Sequence, residues 1–178
     1  MLIVVGCPRS GTRFISRLLM EHGMDVGHEV WGRDGIASWH LTYEREFPHP
    51  VVHQVRDPLA VIASLFTIGA VSWTEIASVI PVRTEDPLLL RAMRTWYHWN
   101  IMARQKAAFS YRVENIAAAF PVLCRMGGFS AAFKPDFATS KQLNSRGHAK
   151  VTWDELEHAD AGLANQIKGA AKGYGYDV

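Results

Sequence analysis

Short continuous apolar runs alternate with stretches of helical period along this chain. "LIVV" (2–5) is apolar throughout and ends at Gly6, which suits a strand covered on both faces, as in a parallel sheet. "TRFISRLLMEHG" follows, with Phe14, Ile15, Leu18 and Leu19 at helical spacing and Gly23 as a stop. "MDVGHE" reads as a short second strand, and 30–50 as an irregular segment broken by Gly32, Gly35, Pro48 and Pro50. "VVHQV" (51–55) is the next strand. Asp57 is placed to cap, and Pro58 to open, a helix ending near Gly69. Asp86 and Pro87 repeat that signal and open the longest helix, to about Ala108, with Leu89, Met93, Trp96, Tyr97 and Ile101 on one side. "FSYRV" (109–113) reads as a fourth strand, and "NIAAAFPVLCRMGG" as a helix to Gly127 in which Pro121 is a break or restart. Thr152 and Glu155 have capping-box spacing, and Asp160 opens a last helix to about Lys172. Strands alternating with helices predict a single α/β domain over 1–178: three layers, with a small, mostly parallel sheet flanked by helices.

Composition narrows the function classes. Apolar residues make up 48% and charged residues 20%, the proportions of an ordinary globular domain. A net charge of +2 argues against a sequence-independent nucleic-acid binder, so no nucleic-acid partner is expected. Two cysteines, Cys7 and Cys124, make no disulfide framework and fit a reducing compartment. "MLIVVG" is too short for a signal peptide or a membrane span, so a cytoplasmic protein without stable membrane insertion is expected.

The chemistry concentrates first in "GCPRSGTR" (6–13), which has the Gly-x4-Gly spacing of a phosphate-binding loop between strand and helix. Such a loop offers backbone N–H groups and a helix N-terminus to an anion. Arg9 in mid-loop and Arg13 at the helix start add guanidiniums that grip phosphate or sulfate with two hydrogen bonds, and Ser10 and Thr12 add hydroxyls. Thr12 stands where the nucleotide-kinase pattern has the lysine that supports phosphoryl transfer.

"PRSGT" before an apolar helix resembles the 5′-phosphosulfate loop of sulfotransferases, relatives of the nucleotide kinases that use 3′-phosphoadenosine-5′-phosphosulfate (PAPS) as sulfuryl donor. The resemblance implies a kinase-like P-loop fold and a cradle of Arg9, Ser10, Gly11, Thr12 and Arg13, with Arg9 near the bridging oxygen. "VRDPLAVIASL" is similar to the family's second anchor, an Arg after a strand and a Ser eight residues later on the helix. That implies Arg56 and Ser64 on the 3′-phosphate. "LNSRGHAKVTWDEL" resembles the late basic loop of bacterial members, implying Arg146 and Gly147 there, with Ser145 and His148 beside them. "YRVENI" (111–116) and "YGY" are looser similarities that imply fold and no contact. Phe14 stands where the family often has an aromatic that stacks on adenine; it also fits the apolar stripe with Leu18.

Sulfuryl transfer needs a base to take the acceptor's proton. Bacterial relatives acting on carbohydrates imply Glu29 for that role; cytosolic ones, which use a histidine, imply His28 or His40. Trp31, Trp39, Trp96 and Trp99 are candidates for an acceptor pocket, for core, or for a homodimer face. His49 and His53, separated by a proline, are joined by no further ligand, His98 stands alone on its helix, and no metal is expected. The reading is thus a PAPS-dependent sulfotransferase acting on a hydroxyl or amine of a small acceptor. A small-molecule kinase using Mg-ATP and a non-catalytic nucleotide-binding module are its rivals.

Overall fold

A computed structural model describes residues 1–44, 46–134 and 150–178. Five strands form one sheet: β1 (Leu2–Gly6), β2 (Val26–His28), β3 (Gly35–Ala37), β4 (Val51–Val55) and β5 (Phe109–Arg112). Their order is β2-β3-β1-β4-β5, and every pairing is parallel. The helices are α1 (Thr12–Glu21), α2 (Pro58–Leu65), α3 (Ala70–Val79), α4 (Leu88–Lys106), α5 (Ile116–Gly127), α6 (Trp153–Ala159) and α7 (Ala161–Gly173).

Alternation along β1 explains the layers. Leu2 and Val4 face one side, where they join Ile15, Leu18 and Leu19 of α1 and Phe120 and Leu123 of α5. Ile3 and Val5 face the other and join Ala103 of α4. Against Trp96 of α4, the helices α2, α3, α6 and α7 bury Ile62, Leu65, Ile76, Leu156 and Ile167 in a third cluster. The expected three-layer α/β architecture is present, and its sheet is parallel throughout.

Several boundaries depart from the sequence reading. The irregular segment contains β3 and a 3-10 turn at His40–Tyr43. With three residues, β3 is too short to show a period, and it exists because β1 offers it a partner. The helix opened by Pro58 stops at Leu65, and α3 follows after a turn. Pro121 does not break α5. It and Ala117, whose carbonyl loses its donor, are both exposed, so water satisfies the freed group. Asp86 does not cap α4; its carboxylate takes the Arg83 N–H at 2.9 Å and the Arg94 Nη1 at 2.7 Å. The Asp57 cap on Ala60, the Thr152–Glu155 capping box and the Asp160 cap all form as their spacing predicts.

His53 belongs to this framework. It is fully buried in β4, with Nε2 2.9 Å from Asn100 Oδ1 and Nδ1 3.2 Å from Ser110 Oγ. Burial drives its pKa down from 6.5 to about 4. A folded value below the unfolded one means the stabilisation is complete above pH 6.5 and is lost as pH falls through about 4. The difference corresponds to about 3 kcal/mol. Denaturant midpoints measured between those two pH values should therefore fall with acid, and His53→Gln should flatten that slope. An equally steep slope in the variant would show that His53 does not cause it.

Candidate active site

Strand order places the site. β1 lies between β3 and β4, so chains leaving its carboxyl end and theirs diverge to opposite sides and open a crevice. Gly6 is in register with Gln54, so the turns after β1 and β4 emerge side by side. The first turn is held from below. Gln54 Nε2 donates to the Ser10 carbonyl at 2.8 Å, and Gln54 Oε1 accepts from the Tyr111 hydroxyl at 2.7 Å. All three side chains are buried. Gly6 is required by the closeness of this contact: a Cβ there would lie 2.5 Å from the Gln54 carbonyl oxygen and 2.6 Å from Ser10 Oγ. Arg9, at φ 71°, takes the left-handed conformation that turns the loop over.

Two arginines meet here. Arg56 Nη1 donates to the Arg9 carbonyl at 3.3 Å, and Arg9 Nε donates to Ser64 Oγ at 2.9 Å. The Trp96 indole N–H reaches the Arg56 carbonyl at 3.4 Å and braces that turn from the core. At the start of α1, Gly11 provides no side-chain cap and the first turn has no acid, so the orphan N–H groups and the positive end of the dipole face the crevice. Ser10 Oγ is buried with no hydrogen-bond partner among the described residues. Arg9, Ser10, Gly11, Arg56 and Ser64 line a cleft of about 650 Å³. Direct linkage of Arg9 to Ser64 was not foreseen: the Ser64 hydroxyl accepts from Arg9 Nε and keeps its own O–H to donate.

A carboxylate system forms the opposite wall. Glu29 has φ 57°, and its Oε2 accepts from Ser38 Oγ in a very short contact. His40 Nε2 lies 3.5 Å from Glu29 Oε2, and His28 Nε2 lies 3.5 Å from Oε1. Glu29 Oε1 is shielded from solvent and has no hydrogen-bond partner among the described residues. Burial raises the Glu29 pKa, against the lowering effects of the Ser38 hydroxyl and His40. His40 Nδ1 is in turn in close contact with Glu75 Oε1, which also accepts from the Tyr43 hydroxyl at 2.8 Å. With Nδ1 engaged by Glu75, the imidazole is oriented with Nε2 toward Glu29. A carboxyl with a raised pKa in the wall of a cleft is suited to exchange a proton.

Among the residues singled out from sequence, Arg9, Ser10, Gly11, Thr12, Arg13, Phe14, His28, Glu29, Arg56 and Ser64 all line this cleft. Arg146 and Gly147, with Ser145 and His148, lie outside the described residues. Phe14 both lines the cleft and packs against the α1–α5 core, so neither of its two readings displaces the other. Of the tryptophans, Trp39 lines the cleft, Trp96 and Trp99 are fully buried, and Trp31 is exposed. Sequence reasoning missed Glu75, Tyr43, Gln54 and Glu114. Glu114 lines the cleft, takes the Asp57 N–H at 2.9 Å and the Tyr176 hydroxyl at 2.8 Å, and so ties the chain's last residues to the turn bearing Arg56. Its segment, "YRVENI", had been read as fold without contact. No family model matches the chain, and the comparison with curated proteins finds no match either.

Since His40 lowers the Glu29 pKa through its charge, His40→Gln should raise it further. Carbon-detected NMR titration of the Glu29 carboxyl reads this directly; an unchanged midpoint would mean the imidazole exerts no field there.

Proposed function

We propose that this chain is a sulfotransferase that moves the sulfuryl group of PAPS to a hydroxyl or amine of a small acceptor. One observation carries the reading: the Arg9 turn and the Arg56–Ser64 pair, far apart in sequence, meet in one cleft whose opposite wall holds Glu29. The fit to a donor with two anionic groups rests on the residues themselves. Arg9, Arg13 and the uncapped start of α1 suit the phosphosulfate, and the orphaned Ser10 hydroxyl supplies a further donor. Arg56 and Ser64 suit the 3′-phosphate, which separates this donor from ordinary adenine nucleotides.

PAPS supplies an activated S–O bond. Arg9 neutralises charge building on the 5′-phosphate oxygen as that bond breaks. The Glu29 carboxylate takes the proton of the acceptor as its oxygen or nitrogen bonds to sulfur, and His40 lies against Oε2 at 3.5 Å. The P-loop kinase reading is weaker because Thr12 replaces the loop lysine.

Calorimetry separates these readings. 3′-Phosphoadenosine 5′-phosphate should bind at least tenfold more tightly than AMP, roughly one charge-assisted contact's worth. Arg56→Gln should erase most of that difference. Equal affinity for the two nucleotides would remove the sulfotransferase reading, and preference for Mg-ATP would replace it with the kinase.

Glu29→Gln should leave nucleotide affinity intact and reduce turnover by about 10²-fold or more. Because the base works deprotonated and its pKa is raised above 4.5, kcat/KM should fall on the acid side with a midpoint above that value. Undiminished turnover in the variant would assign the base elsewhere.

A further inference from the structure

A second, shallower groove of about 400 Å³ runs outward from the cleft, and Arg13 and His28 line both. One wall is α1. Arg13, Arg17 and Met20 are exposed at helical spacing on a single face. The other wall is the turn between β2 and β3, which presents Val30 and Trp31. Met20, Val30 and Trp31 are 53%, 66% and 52% exposed, three of the largest apolar exposures among the described residues, and all three line this groove.

The arrangement opposes what stability alone would select. Arg13 and Arg17 are like charges one turn apart at the positive end of α1, with no acid in its first turn. Neither makes a hydrogen bond or ion pair with a described residue. Arg33, at the far end, is instead held by Asp34 at 2.7 and 3.1 Å, and Asp25 is occupied by the Arg33 backbone N–H at 3.0 Å. The turn bearing Trp31 is tied across its base by hydrogen bonds. Asp34 donates its N–H to the Asp25 carbonyl at 2.9 Å, and Asp34 Oδ2 accepts the Asp25 N–H at 2.8 Å. Gly32 is packed so closely that a Cβ would lie 2.2 Å from the Asp25 carbonyl oxygen. The indole is therefore displayed by a fixed backbone. It faces a groove that ends at His28, 3.5 Å from the Glu29 carboxylate.

We propose that this groove is the acceptor subsite, and that the acceptor is a ring-bearing hydroxyl compound that carries its own carboxylate or sulfate. Its acid group lies on Arg17, its ring on Trp31, and its hydroxyl points past His28 to Glu29. Charge complementarity selects the acid: Arg17 has no counter-ion among the described residues. The flat apolar wall selects a sugar or aryl ring over an open chain. The inference rests on the sulfotransferase reading for its chemistry, but binding to the groove does not.

Two matched pairs test it: 4-nitrophenyl glucuronide against the glucoside, and 4-hydroxyphenylacetate against its amide. Binding is followed by tryptophan fluorescence and by ligand-observed NMR, with and without 3′-phosphoadenosine 5′-phosphate. At least one acid should bind about tenfold more tightly than its neutral partner, the scale of one charge-assisted contact. Arg17→Gln should abolish that preference while leaving nucleotide affinity unchanged, and Trp31→Ala should weaken acid and neutral ligands alike. If neither acid beats its partner, or if Arg17→Gln keeps the preference, the subsite is refuted. If the preference holds but the nucleotide shows no gain over AMP, the groove stands and the sulfotransferase reading falls.

Discussion

A buried amide holds the site together. Gln54, in the middle of the sheet, donates to the Ser10 carbonyl and is itself fixed by the Tyr111 hydroxyl on the neighbouring strand. An unmet polar group at that depth is costly, so the three residues lock to one another. That lock sets the height of the first turn above β4 and leaves room only for glycine at residue 6. Because β1 and β4 run parallel and in register, the turn that follows β4 then has no choice but to emerge against the first one. The contact between Arg56 and the Arg9 carbonyl is a consequence of that registration.

The cleft is electrostatically divided. One wall is cationic and rich in N–H donors; the other carries Glu29 backed by His40, Glu75 and Tyr43. Separation keeps the carboxylate from being neutralised by the arginines, so burial dominates its pKa and pushes it up. Glu29 also stands in the left-handed region, and Arg9 does so on the opposite wall. Non-glycine residues adopt that conformation when the surrounding structure enforces it, and both occur where side chains must be aimed into the crevice.

One short turn serves two purposes. Between β2 and β3 the backbone closes on itself through Asp25 and Asp34, directing Glu29 inward and Trp31 outward. Hydrogen bonds across that turn hold a half-buried carboxylate and an exposed indole on one short stretch of backbone.

Much of this was legible along the chain. Apolar runs located four of the five strands, and Asp57–Pro58, Thr152–Glu155 and Asp160 marked helix starts that form through local hydrogen bonds. The glycine loop and the Arg–Ser spacing named residues that share one cleft, because the turn chemistry of each is local. The sequence misled where local signals were overruled. Pro121 is absorbed by a solvent-facing helix, Asp86 prefers Arg94, and β3 has no pattern of its own. Glu75, Gln54 and Glu114 were invisible because each acts through a partner between 32 and 62 residues away. Sequence by itself determined most of the strands, the capped helix starts and the glycine turn, since those depend on neighbours a few residues apart. Only the tertiary structure decided which turns face each other and which acid lies in a dry wall, because parallel strand pairing joins residues that the chain keeps far apart.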